Sequence, residues 1–141
     1  MRTLAHMKTI VAVLLIALLT ASTAQGHHSF AAEFSSTDIQ TIKGTVVEFQ
    51  WMNPHAYIYL DVTDHTGKKV RWGIQSRNLS ILKRQGLSKQ TFQAGDVVTI
   101  EFFHHHDLTK NVGFARFIVK ADGTKYDVIP GGRGGIVPPN P

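Results

Sequence analysis

The sequence predicts a mainly β protein: a small OB-like Greek-key barrel of five to six antiparallel strands, with one short helix between strands three and four. Three observations lead there. From Thr41 onward, apolar and polar residues alternate in short runs with a period of two. The runs are separated by turns rich in Gly, Pro, Asn and Asp. The one stretch of longer period, between Asn78 and Phe92, falls after the third run, which gives three strands, a helix, then two or three strands. An open antiparallel sheet with the helix packed on one face fits the same order less specifically.

The first 26 residues stand apart from that pattern. Arg2 and Lys8 form a positive start, Ile10–Leu19 is a continuous apolar run, and "ASTAQG" supplies small residues, which is the pattern of a secretory signal peptide. At about 1.5 Å per residue the run spans only about half of a roughly 30 Å hydrocarbon core, so no stable membrane insertion is expected. No cysteine follows it, which leaves no lipoprotein attachment, and the processed chain is expected to be periplasmic or secreted.

Residues 27–40, "HHSFAAEFSSTDIQ", show no clear period and read as an amino-terminal arm that docks through Phe30 and Phe34. The OB-like domain is expected over 41–129. Strand one covers Thr41–Gln50, with Ile42, Val46 and Phe49 turned inward and Gly44 breaking it as a bulge or sharp bend would. "MNPH" is turn chemistry, because Pro54 lacks a backbone N–H. Strand two, "HAYIYLDVT", puts Tyr57, Tyr59 and Asp61 on one face and Ala56, Ile58, Leu60 and Val62 on the other. "DHTGKK" reads as a hairpin with Gly67 at positive φ, and strand three, "KVRWGIQS", carries Val70, Trp72 and Ile74 on one face.

The helix places Leu79, Ile81 and Leu82 on one side, with Ser76 or Asn78 as its cap and Gly86 at its end. Strand four is "GDVVTIEFFHHH" and strand five "NVGFARFIVKA", in which Val112, Phe114, Arg116 and Ile118 alternate with Gly113, Ala115, Phe117 and Val119. Asp122-Gly123 signals a hairpin into a short sixth strand, "TKYDVI". The Gly/Pro-rich tail, 130–141, is expected to be disordered.

Composition narrows the function classes. The chain has 141 residues and no cysteine, so one domain must hold together by core packing without disulfides. Loss of Arg2 and Lys8 with the signal reduces 15 basic residues to 13 against 10 acidic, a net charge of +3. That balance is too small and too dispersed for a nucleic-acid partner. No nucleophile motif, HExxH or phosphate-cradling glycine loop is present, so an enzyme is the less favoured class.

Histidine carries the chemistry that remains. Signal cleavage after Gly26 would make His27 the amino terminus, where its α-amine and imidazole can chelate Cu(II) with another histidine completing the set. Cleavage after Ala24 would instead leave Gln25-Gly26-His27, a square-planar site for Cu(II) or Ni(II), weakened because an amino-terminal Gln can cyclise. On a strand, His104 and His106 share a face and can ligate one metal while His105 points away. In the expected barrel the loops after strands one and four flank one rim, which brings His55 towards that pair and gives His27 and His28 a place to reach. Against this stands the plain reading of polar residues on an arm and a loop.

Asp107 is either a carboxylate partner for a histidine or simply a loop-starting residue. Trp51, Asn53, His55 and Tyr57 suit a small-molecule pocket, although a Trp beside a turn also serves as a plug. Tyr57, Tyr59, Arg71 and Arg116 resemble a strand face for single strands, but export favours a solvated sheet face. The ligand-binding candidates are thus Trp51, Asn53, His55 and Tyr57; the metal candidates are His27, His28, His55, His104 and His106, with copper as the metal. The competing class is an accessory module for another envelope protein, in which the histidines are incidental. A copper-dependent redox enzyme ranks third.

"HHSFAAEF", "GTVVEFQWMNPHAYIYLDV", Trp72, the Leu82, Arg84 and Gly86 spacing and "GDVVTI" together resemble a family of small exported bacterial proteins catalogued only as a domain of unknown function. The resemblance implies an exported β-barrel and favours cleavage after Gly26, because the family's first histidine pair directly follows its signal. It singles out the amino-terminal histidines and the Trp51, Asn53, Pro54, His55 element, and it implies no established reaction. The chain departs from the pattern at His104 to His106. A metal site built on that triplet would be peculiar to this protein, whereas one using His27, His28 and His55 could be general.

Overall fold

The computed structural model describes residues 29–129, so the expected signal peptide, His27, His28 and the tail from residue 130 lie outside the described residues. The chain divides between Ala32 and Glu33 into two units, and the second carries the sheet. A short helix, α1 (Ser29–Glu33), leads directly into β1 (Phe34–Gln50). Then follow β2 (Tyr57–Thr63), β3 (Lys69–Gln75), α2 (Leu79–Arg84), β4 (Val97–His105), β5 (Val112–Lys120) and β6 (Lys125–Asp127). The protein is mainly β, with the strands in one sheet of order β3-β2-β1-β4-β5-β6. Neighbours in that order are antiparallel, and a further parallel pairing joins Gly73–Gln75 of β3 to Val112–Phe114 of β5. No helix among the described residues is long and apolar enough to cross a membrane.

The period of two places β2 and β3 as expected. Ala56, Ile58, Leu60 and Ile74 are fully buried, while Tyr57, Tyr59 and Arg71 lie on the opposite face. The two strands form a regular hairpin from Tyr57↔Gln75 to Thr63↔Lys69, closed by a turn with Gly67 at φ +85°.

β1 differs from expectation in where it starts and where it bulges. It begins at Phe34 rather than Thr41, because of residues 34–40 only Phe34 is buried and a strand with one buried residue shows no period. Towards β4 its register shifts between Phe34 and Ile39, and towards β2 a bulge lies at Val47, where pairing passes from Val46↔Leu60 to Glu48↔Tyr59. One inserted residue is why Val46 and Phe49, three apart, both pack on the core. Gly44 is regularly paired with Val98 and is not the bulge; a Cβ there would lie 2.9 Å from the Asp61 carbonyl oxygen and from Val62 Cγ2.

β5 hides a further bulge. Glu101 pairs with Phe117 but Phe102 with Ala115, so Arg116 is skipped and Ala115 and Ile118 share the core face. The expected alternation through Arg116 therefore breaks. The Arg116 carbonyl accepts N–H bonds from both Val128 (2.9 Å) and Ile129 (3.3 Å). Helix α2 is capped by Asn78, whose side chain accepts from Ile81 N–H, and it buries Leu82; Leu87 and Phe92 beyond it complete the core from a loop.

Candidate functional site

Around the end of β4 the three consecutive histidines have three different environments. His104 faces the core side and is 4% exposed, its ring against Trp72 (centroids 5.6 Å) and Phe102 (6.0 Å). Its Nδ1 lies 3.7 Å from Asp38 Oδ2, too far for a hydrogen bond, and is buried without a partner. Asp38 itself accepts both bonds from the Gln40 amide, at 3.2 and 3.4 Å.

His105 is turned to the other face, edge-on to Phe34 at 6.0 Å. Its Nδ1 accepts the Asp107 N–H at 2.9 Å, so the proton of the neutral ring sits on Nε2 and that nitrogen offers no lone pair to a metal. His106 lies past the strand end and is exposed; its N–H donates to the Glu33 carbonyl at 2.9 Å. The expected shared face of His104 and His106 requires strand alternation through His106, and β4 ends at His105. Asp107 closes the local turn. Its Oδ1 accepts from the Thr109 hydroxyl (2.6 Å) and N–H (3.1 Å), and these bonds hold its pKa below the ordinary carboxylate value, the hydroxyl contributing most. Among the described residues no three His, Asp or Glu come together in a group able to hold a metal ion.

The residues expected to line a pocket divide by role. Trp51 packs on Phe49 (5.5 Å) and on the core, the plug that its place beside a turn allowed. Asn53, which precedes a cis Pro54, accepts the Leu79 N–H with Oδ1 at 3.1 Å and so serves the start of α2. His55 is half-buried in the same loop. Tyr57 is the member of the group with an outward polar partner: its hydroxyl donates to Gln75 Oε1 at 3.1 Å. Its pKa is raised, first by burial and then by the charges of Glu33 and Tyr59, so the phenol stays a neutral donor.

Tyr57 sits in an ordered patch on the face turned away from the core. The register sets Gln50, Tyr57 and Gln75 in one row across β1, β2 and β3, and Glu48, Tyr59 and Gly73 in the next. Asp61 and Arg71 follow as an ion pair at 2.6 Å. The two tyrosine rings are nearly parallel, 15° apart with centroids 6.3 Å apart.

A family model described as a family of unknown function, DUF6152, matches residues 14–114. The chain belongs to DUF6152. The matched span contains both histidine motifs and ends within β5. No curated protein and no solved structure matches this DUF6152 chain.

For this DUF6152 member, sequence reasoning named Tyr57, Tyr59 and Arg71 but missed Gln75, Glu48 and Asp38. A signal for Gln75 existed. The hairpin turn at Asp64–Lys68 fixes which β3 residue faces each β2 residue, and carried back along the strands it sets Tyr57 against Gln75. Glu48 carried no such signal, because its place in the row depends on the unannounced bulge at Val47.

Proposed function

We propose that the protein is an exported binding domain on an OB-type barrel frame, which takes up a copper-type metal ion at a histidine-rich rim through its processed amino terminus. The barrel reading is supported by the sheet order. β3 and β5 stand at the two ends of the first five strands, and their parallel pairing joins those ends with the helix lying between strands three and four. β6 is then a short appendix on β5.

The metal reading rests on where the chain joins the sheet. Phe34 pairs with His105, and the Glu33 carbonyl accepts the His106 N–H, so β1 starts at the β4–β5 rim. His28 and His27 stand five and six residues before Glu33 in the sequence. Cleavage after Gly26 gives His27 a free α-amine beside its imidazole, a nitrogen donor set suited to Cu(II). His106 is the exposed histidine of the triplet.

Mass spectrometry of the processed protein should find His27 first. Calorimetry should show one Cu(II) bound per chain, weakened at least about tenfold in His27→Ala and in protein with one extra residue ahead of His27. Equally weak binding by all three forms refutes the reading. A second reading, an accessory module for an envelope protein, is favoured by two exposed apolar side chains on loops, Met52 (50%) and Leu108 (68%). Copurification of a partner that survives chelator would favour that reading over the metal.

A further inference from the structure

The rows of side chains across β1, β2 and β3 take no part in the metal reading. From them we infer that the protein has a second binding site, on the face of β1–β3 turned away from the core, for a neutral hexopyranose oligosaccharide. A pyranose ring presents an apolar C–H face and a rim of hydroxyls that both donate and accept. It is recognised by an aromatic surface bordered by amides and carboxylates.

The centre of the patch supplies the aromatic surface. Tyr57 and Tyr59 stand in adjacent rows with their rings 15° from parallel, and both lean over β3. The Tyr57 hydroxyl reaches Gln75, and the Tyr59 ring lies over Gly73, where a Cβ would come within 3.2 Å of Tyr59 Cε1. Glycine at that register position leaves the room the ring occupies.

The border supplies the polar groups, held in place by bonds that use only part of their capacity. Gln75 is 9% exposed and its oxygen is engaged by Tyr57, which leaves its amide N–H groups as donors. Glu48 accepts the Gln50 amide on Oε1 at 3.0 Å, and Asp61 accepts Arg71 on Oδ1, so each carboxylate keeps a second oxygen for a hydroxyl. Fixed planar groups of this kind lose little freedom when a ligand binds.

Charge selects the class of ligand. Asp61 and Glu48 lie within the patch and Glu33 acts on Tyr57, against the cations Arg71 and Lys69. Arg71 is already paired with Asp61, and the two rows that hold the tyrosines, Gln50–Tyr57–Gln75 and Glu48–Tyr59–Gly73, contain no cation to hold a phosphate backbone. An uncharged, hydroxyl-rich chain fits where a polyanion does not.

The test titrates the protein, purified as its host processes it and kept in chelator, with cellohexaose, with maltohexaose and with an oligothymidylate, followed by NMR and calorimetry. Chelator makes the outcome independent of copper. Saturable binding of a hexaose is expected, with shifts at Tyr57, Tyr59 and Gln75. Tyr59→Ala should weaken it about tenfold, the order of loss when a stacking ring is truncated, and Tyr59→Phe far less. Gln75→Ala should weaken it with the fold intact. The inference is overturned if neither hexaose binds saturably, if folded Tyr59→Ala and Gln75→Ala bind as the parent does, or if the oligothymidylate binds more tightly.

Discussion

The histidine rim and the tyrosine patch are assembled in opposite ways. His104, His105 and His106 are consecutive, yet one is buried beside Trp72, one is bonded to the Asp107 N–H and one is exposed beyond the strand. Glu48, Tyr57, Tyr59 and Gln75 span 28 residues of sequence, and strand pairing sets them side by side. Proximity in the chain does not make a site on a strand, because alternation sends neighbours to opposite faces; register across strands does.

The sharpest way to separate the two regions is through their glycines. Gly113 pairs with His104 at the rim, and a Cβ there would overlap the Cδ2 edge of the Phe102 ring. Phe102 is fully buried and packed edge-on to Trp72 at 5.4 Å, so it has nowhere to move. Gly113→Ala is expected to cost about 3 kcal/mol through overpacking. Gly73→Ala in the patch meets only the half-buried Tyr59 ring, which can swing outward, and should stay within about 1 kcal/mol while weakening hexaose binding. Denaturant midpoints on both variants check the difference; equal losses would mean that the patch is as tightly packed as the rim.

Within the rim, adjacent histidines should respond unequally to the same change. His104→Leu removes a buried nitrogen that has no hydrogen bond and keeps the apolar contacts with Trp72 and Phe102. It should be nearly neutral or stabilising. His105→Leu leaves the Asp107 N–H without its acceptor and should cost about 1 kcal/mol. A larger loss at His104 than at His105 would show that the Asp38 carboxylate engages the His104 ring in solution despite their 3.7 Å separation.

What could be read from the sequence follows the same division. A regular period of two identified β2, β3 and the start of β4, and turn residues such as Gly67 fixed the hairpins. The bulges at Val47 and Arg116 were not legible, because an inserted residue alters register without altering composition. The first half of β1 looks like an arm in the sequence because it buries only Phe34. The tyrosines of the patch were visible as one strand face. Gln50 and Glu48 join that face only through the register shift at Val47.

The smallest effect compares one carboxylate from each region. Asp107 and Asp61 both have pKa values lowered from the ordinary 3.8, Asp107 chiefly by the Thr109 hydroxyl and Asp61 chiefly by its bond to Arg71. Since the folded values lie below the unfolded ones, the unfolded chain binds more protons near pH 4. The stability each carboxylate contributes is present above that range and is lost as pH falls through the folded values. Salt distinguishes the two causes. At about 1 M salt the screening length shrinks to about 3 Å, which weakens the exposed Asp61–Arg71 pair but hardly touches a hydrogen bond from a neutral hydroxyl. NMR titration should therefore show the Asp61 pKa climbing towards its ordinary value in high salt while that of Asp107 holds. Equal movement of both would place a common charge, not a local hydroxyl, behind the Asp107 shift.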